Sequence, residues 1–303
     1  MIRFIPVGIL ALIWSSAAYT QATPPGGPPG ISPTDMAILR QPIQPIQKIG
    51  GDLYFVAGGG GNSVVLVTPK TIVLVDCKNS GNEIYGALVA QIRSVSSLPI
   101  KYVINTHNHG DHAGNNARFM AAGAIVEAQA VALTPSPGQP GQEVPALPTR
   151  TFTQSDTLHV DGAEVRLIHF TAHTGNDAIV YFPREKVIAA GDIYTTVPAL
   201  ASYAQGGSLY GMRDAVHAML KLDFVSVVPG HGPVMKRADL EKFSHDLDTF
   251  IGRLEASIAS GTPKDALMAS IKSDDISINP RGFAWSSAIQ VDGVYQDVLK
   301  HHQ

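Results

Sequence analysis

Thr106-His107-Asn108-His109-Gly110-Asp111-His112 packs four metal-ligand side chains into six residues. It follows Tyr102-Val103-Ile104, an apolar run that reads as a buried strand. His107 and His109 are two apart, so an extended backbone presents both on one side. Asp111 and His112 come as the chain turns, and can serve a second position nearby. Imidazole nitrogen suits zinc, and a carboxylate can complete the shell. One such cluster cannot enclose two ions alone. The remaining ligands are expected from other strand ends.

Three candidates lie further along. His173 follows a β-rich run ending at Phe170, within Thr171-Ala172-His173-Thr174-Gly175. Asp192 follows Val187-Ile188-Ala189-Ala190-Gly191, and His231 stands in Pro229-Gly230-His231-Gly232. Each comes just after a buried run and beside glycine or small residues that let the backbone turn. Loops at strand ends on a rigid sheet are where sites are normally assembled.

Taken together, His-x-His-x-Asp-His, a later His, Gly-Asp and Gly-His-Gly resemble the motif set of the metallo-β-lactamase superfamily. The gaps of 61, 19 and 39 residues between His112, His173, Asp192 and His231 are typical of that family, and the likeness covers roughly residues 50–260. The resemblance implies a dinuclear site. His107, His109 and His173 would hold one ion, Asp111, His112 and His231 the other, and Asp192 would bridge them. Two Zn2+ are the implied cofactors, with iron or manganese as alternatives. The implied chemistry is hydrolysis by a metal-bridging hydroxide, because two close divalent ions lower the pKa of a shared water to about 7. Asp111 and Asp192 are the expected catalytic carboxylates. The sequence leaves open whether Asp111 or a water relays the proton.

Weaker candidates surround this set. Asp76 ends a strand where the family places a supporting aspartate, and is expected to orient a ligand imidazole. Asp177 is expected to brace the His173 loop. Tyr194 could donate a hydrogen bond to substrate or pack in the core. Cys77 reads as a small core residue, and the histidines at 159, 169, 217, 245, 301 and 302 as structural or exposed.

The substrate is expected to be a small molecule with a reactive carbonyl: a lactone, ester, thioester or β-lactam amide. A β-lactamase proper is one alternative. However, the most familiar β-lactamase subclass has Cys where this chain has Asp192, and a substrate-binding Lys where it has Thr195. A non-haem iron oxidoreductase of the same fold, similar to persulfide dioxygenases, is the other. A complete second ligand set argues for the hydrolase.

Short strands separated by Gly or Pro turns occupy residues 53–57, 63–68 and 71–76, an antiparallel meander. Ser80 and Glu83 read as a capping box for a helix that Pro99 stops. Strand, helix and strand follow, then the same order of strands, helix, strand and helix repeats. The expected fold is α/β: a four-layer αβ/βα sandwich of two mixed sheets flanked by helices. A long amphipathic helix over residues 240–258 is closed by Gly261 and Pro263.

Bulk properties narrow the classes. The 303 residues allow a sizeable core, charged residues are 16%, and formal net charge is −3. No Lys/Arg run favours a nucleic-acid partner. Arg3 and the apolar run over residues 4–14, followed by small residues, read as a signal peptide over residues 1–22. That run is too short for a permanent membrane anchor, so a periplasmic or secreted enzyme is expected. Residues 23–49 read as a Pro/Gly-rich lead-in, residues 50–260 as the hydrolase domain, and residues 261–303 as an extension packed on it. A single cysteine excludes an intramolecular disulfide. Nothing in the sequence fixes the oligomeric state.

Overall fold

The computed structural model describes residues 33–133, 144–197, 200–278 and 288–302. The expected signal peptide, the first part of the lead-in and most of the proline-rich stretch over residues 134–148 lie outside these.

Two sheets stand face to face. The first runs in spatial order β1 (Gln47–Gly50), β2 (Leu53–Val56), β3 (Ser63–Val67), β4 (Ile72–Val75), β5 (Ile100–Ile104), β6 (Ile125–Gln129) and β7 (Arg150–Phe152). β1 to β4 form the antiparallel meander, and β4 to β7 pair in parallel. The second comprises β8 (Ser155–Val160), β9 (Ala163–Phe170), β10 (Asp177–Phe182), β11 (Val187–Gly191), β12 (Ser226–Pro229) and β13 (Met235–Lys236). There, β11 and β12 form the parallel pair.

Helices close both outer faces. They are α1 (Pro33–Leu39), α2 (Asn82–Arg93), α3 (Gly110–Ala113), α4 (Asn116–Ala121), α5 (Leu209–Leu220), α6 (Arg237–Ala259), α7 (Leu267–Ser270) and α8 (Ala288–His301).

Strand alternation explains the layering, because successive side chains point to opposite faces. On β4, Val73 and Val75 face the space between the sheets, while Ile72 and Leu74 face α2. On β10, Ala178, Val180 and Phe182 join the inter-sheet core, whereas Ile179 and Tyr181 pack under α5, α6 and α8. Strands covered on both sides read as near-continuous apolar runs, as β4 and, after Asp177, β10 do. The result is the αβ/βα sandwich the element order implies.

Three local expectations are corrected. First, α2 begins at Asn82 with Gly81 at its N-cap, and Ser80 makes no capping bond. The backbone before it is engaged elsewhere. Lys78 O accepts from Gly114 N at 3.0 Å, and Asn79 O accepts from the Asn115 amide at 2.6 Å. Second, the fold starts before Gly50. β1 pairs with β2, Ile43 and Ile46 pack on the apolar cluster beneath α2, and Gln44 N donates to Ala57 O at 2.9 Å. Third, the expected order of strand then helix at the end of the repeat gains an element: β12 is followed by the two-residue edge strand β13, too short for a periodic signal.

Candidate metal centre

Every expected ligand lies beyond the C-terminal end of a strand, in the turn after it or, for Asp111 and His112, on the short helix α3. His107, His109, Asp111 and His112 follow β5, His173 follows β9, Asp192 follows β11 and His231 follows β12. The two sheets meet here. Ala178 N on β10 donates to Thr106 O at 2.7 Å, and Asn62 N, just before β3, donates to Gly230 O at 2.7 Å. Gly191 sits at φ +52, and a Cβ there would stand 2.5 Å from Thr106 Oγ1, so glycine is required for this approach.

The seven side chains form two groups. His107, His109, His173 and Asp192 converge in one, Asp111, His112 and His231 in the other. In the first, His109 Nδ1 lies 2.9 Å from His107 Nε2 and 3.2 Å from His173 Nε2. In the second, Asp111 Oδ2 lies 3.2 Å from His231 Nε2 and 3.7 Å from His112 Nε2. Asp192 joins them through different oxygens. Its Oδ2 is 4.0 Å from His107 Nε2 and 3.6 Å from His173 Nε2. Its Oδ1 is 3.4 Å from His112 Nε2 and 3.6 Å from His231 Nε2. Donors on a tetrahedral zinc lie about 3.3 Å apart, given Zn–N of about 2.0–2.1 Å, so these separations suit an ion in each group. The fit has a second sign. His112 Nε2 and Asp192 Oδ1 are buried without a hydrogen-bond partner, a costly state that metal coordination would remove.

Outer bonds aim the rings. His112 Nδ1 donates to Asp76 Oδ2 at 2.8 Å, and the same carboxylate accepts from Thr106 N and Oγ1 at 2.8 and 2.7 Å. Thr106 Oγ1 stands 3.2 Å from His107 Nδ1. His173 Nδ1 donates to Leu200 O at 2.6 Å, and His109 Nε2 donates to Gln205 Oε1. Each of these four rings is thereby fixed with its other nitrogen toward the site. Asp177 lies outside both groups. It accepts from Thr174 N at 2.6 Å and Oγ1 at 2.9 Å, so it braces the turn that carries His173.

Electrostatics differ between the groups. Burial and the neighbouring His112 and His109 hold His107 well below the ordinary imidazole range, and burial pushes His173 down to about 4. Both offer lone pairs at neutral pH. Burial also lowers His112 and His231, but Asp192 and Asp111 outweigh it and raise both. Burial raises Asp111 and Asp192, and the surrounding histidines outweigh it, so both carboxylates are strongly acidic. A cation entering the second group therefore displaces protons.

Other expected residues fall elsewhere. Tyr194 is buried in the core, its ring 5.1 Å from that of Phe243. Burial and Asp239 push its hydroxyl up to about 12. It is a packing residue, because the turn after Asp192 points its side chain back under α6. Cys77 is buried, its Sγ 3.2 Å from Asn116 Oδ1.

Several residues that shape the site carried no sequence signal. Gln205 and Thr106 orient rings. Asn62 ties down the His231 turn, its side-chain amide donating to Pro229 O at 2.9 Å and Gly232 O at 2.8 Å. Lys78 is fully buried, with Nζ donating to Val56 O at 2.6 Å and Gly61 O at 2.7 Å, and burial lowers it to about 7.

Comparison with known proteins bears on the family and the fold. The chain is 23% identical over 195 residues to the lactamase-like protein aptB of Emericella nidulans, covering 63% of this chain and 57% of that protein. It is 24% identical over 133 residues to the atrochrysone carboxyl ACP thioesterase of Aspergillus fumigatus, covering 44% of this chain and 29% of that enzyme. The chain thus spans little more than half of the first relative and less of the second. A metallo-beta-lactamase from Pontibacter korlensis superposes with a TM-score of 0.59 at 20% identity, over 68% of this chain and 99% of that one, a likeness of fold. The family model for the metallo-beta-lactamase superfamily matches residues 56–231, more than half of the chain and the whole ligand set, and the protein belongs to that superfamily.

Proposed function

We propose that the protein is a dinuclear zinc hydrolase that attacks a carbonyl in a small molecule: a lactone, ester, thioester or β-lactam amide. The observation that carries this reading is the division of Asp192, with Oδ2 toward His107 and His173 and Oδ1 toward His112 and His231. His107, His109 and His173 would hold one ion, and Asp111, His112 and His231 the other. Two zinc ions bound there supply Lewis acidity, which activates water near neutral pH and polarises a substrate carbonyl.

The chain's own residues do the rest. Asp76, Thr106, Leu200 and Gln205 keep imidazole lone pairs directed inward. The Asp111 side chain is 30% exposed, against 6% for Asp192, so its carboxylate faces incoming solvent and substrate. Asp111 Oδ2 is anionic at neutral pH and lies 3.2 Å from His231 Nε2. Thr195 brings no cation, its hydroxyl lying 3.5 Å from His231 O. β-Lactams, which present a carboxylate, should therefore be the slower class.

The test is metal analysis of protein grown in defined medium, with a panel of lactone, thioester, β-lactam and phosphodiester substrates. Two zinc ions per chain and chelator-sensitive cleavage of a carbonyl compound are expected. A single iron per chain without hydrolysis, or phosphodiester cleavage alone, would refute the proposal.

A further inference from the structure

The C-terminal helix α8 lies outside the family match, yet it reaches the metal centre through one short turn. Gln290, Gly293 and Asp297 recur at helical spacing and form one stripe, with Val294 and Val298 beside it in the core. The stripe grips the turn Tyr203–Gln205. Gln290 Oε1 accepts from Tyr203 N at 2.9 Å, and its amide donates to Ala201 O at 3.1 Å. Asp297 Oδ2 accepts from the Tyr203 hydroxyl, Ser208 Oγ and Leu209 N, each at 2.9 Å. Gly293 lets the helix approach, for a Cβ there would fall 2.2 Å from the Tyr203 ring.

The other side of that turn faces the ligands. Gln205 Oε1 accepts from His109 Nε2 and from Ser202 Oγ. Ser202 N donates to His173 O at 2.6 Å, and Leu200 O accepts from His173 Nδ1 at 2.6 Å. Two of the three histidines of one group thus take their orientation from this segment. No corresponding bond links it to Asp111, His112 or His231 among the described residues.

We propose that α8 is a latch for one metal position only: Gln290 and Asp297 clamp the turn, and Gln205 is the positioning residue through which the clamp sets His109. The inference rests on the dinuclear reading above but concerns affinity, not turnover. Removing Gln205 frees the His109 ring to rotate and change tautomer. Outer-shell changes of this kind typically weaken metal binding about 10–100-fold. The Asp111, His112 and His231 position should keep its affinity.

The experiment is stepwise zinc titration against a chromophoric chelator, with NMR of the histidine side chains to identify which position empties. Wild type is titrated first. If it takes up no zinc at His109 and His173, the dinuclear reading fails. Gln205→Ala should lose affinity at His109 and His173 by about 10–100-fold, with the other position within about twofold. Gln205→Glu, which keeps an acceptor, should restore most of it. Asp297→Asn should produce a smaller loss at the same position; should it not fold, the Gln205 pair decides. NMR of metal-free Gln205→Ala should also show His109 losing its single tautomer. Normal wild-type uptake with unchanged affinities in Gln205→Ala would overturn the latch. So would equal weakening of both positions in step with melting temperature.

Discussion

Asp192 concentrates the chemistry of the centre in one side chain. Each oxygen faces a different histidine group, and one of them is buried without a hydrogen-bond partner. In the proposed dinuclear centre, Asp192→Ala would remove a ligand from each position together with the negative charge between two cations. Loss of at least one metal per chain and a fall in kcat/KM of about 10²-fold or more are expected, on the scale by which ligand-shell changes weaken metal sites. His217 is the control: it lies on α5, 41% exposed, 3.1 Å from Asp248. His217→Ala should keep both metals. Zinc stoichiometry and kinetics of the two variants side by side check this, and full metal content in Asp192→Ala would remove it from the centre. The candidate ligands that the fold brings together stood out in the sequence because each is marked by its own chemistry and a local backbone pattern. Gln205 and Asn62 were not, because an amide acquires its role only from what the fold brings opposite it.

At the level of elements, the segment Gly58-Gly59-Gly60-Gly61 reads in sequence as a plain connection between β2 and β3. In the fold it is part of the site wall. Gly61 N donates to Asp111 O at 2.9 Å, and a Cβ on Gly61 would stand 2.2 Å from His112 Cε1. Real Cβ contacts never come so close, so Gly61→Ala must push the His112 ring or the loop aside. Lys78 prevents the loop from yielding, since its buried amine holds both Val56 O and Gly61 O. The expected outcome for Gly61→Ala is selective loss of zinc from the Asp111, His112 and His231 position, by about tenfold or more. The His107, His109 and His173 position should be retained. Gly86→Ala on α2, where a Cβ meets nothing, should alter neither. Chelator-competition titration of both variants gives the answer, and equal behaviour of the two would show that the loop adapts freely. The capping box at Ser80 failed for a related reason. The backbone just before it is spent on bonds to Gly114 and Asn115, directly after the helix carrying Asp111 and His112, a demand invisible in local sequence.

On the scale of the whole molecule, the alternation of strands and helices was enough to give two mixed sheets with outer helices, because period and order are local properties. Where the domain begins was not legible. Residues 33–49 carry apolar side chains, but their interleaved prolines and glutamines break any strand or helix period and classed them with the Pro/Gly-rich lead-in. Two isoleucines decide otherwise: Ile43 and Ile46 cover the apolar cluster beneath α2. The same segment is bonded to the site wall, since Gly59 N donates to Gln41 O at 2.7 Å, and a Cβ on Gly58 would fall 2.0 Å from Pro42 O. It is also tied to α2, where the Gln91 side chain accepts from Ile46 N at 2.9 Å. Two deletions separate the lead-in from the domain. Removing residues 23–29 should leave melting temperature and metal content unchanged, because that stretch offers little to bury. Starting the chain at Gly50 removes both isoleucines and the β1 edge. With partial burial of two such side chains worth about 2–4 kcal/mol together, a fall in Tm of roughly 10 °C is expected. The Gly58 to Gly61 wall should loosen as well, so zinc at the Asp111, His112 and His231 position should weaken along with stability. Calorimetry and zinc titration on the two shortened chains measure both effects. A chain starting at Gly50 that melts and binds zinc like the longer one would return the domain boundary to Gly50.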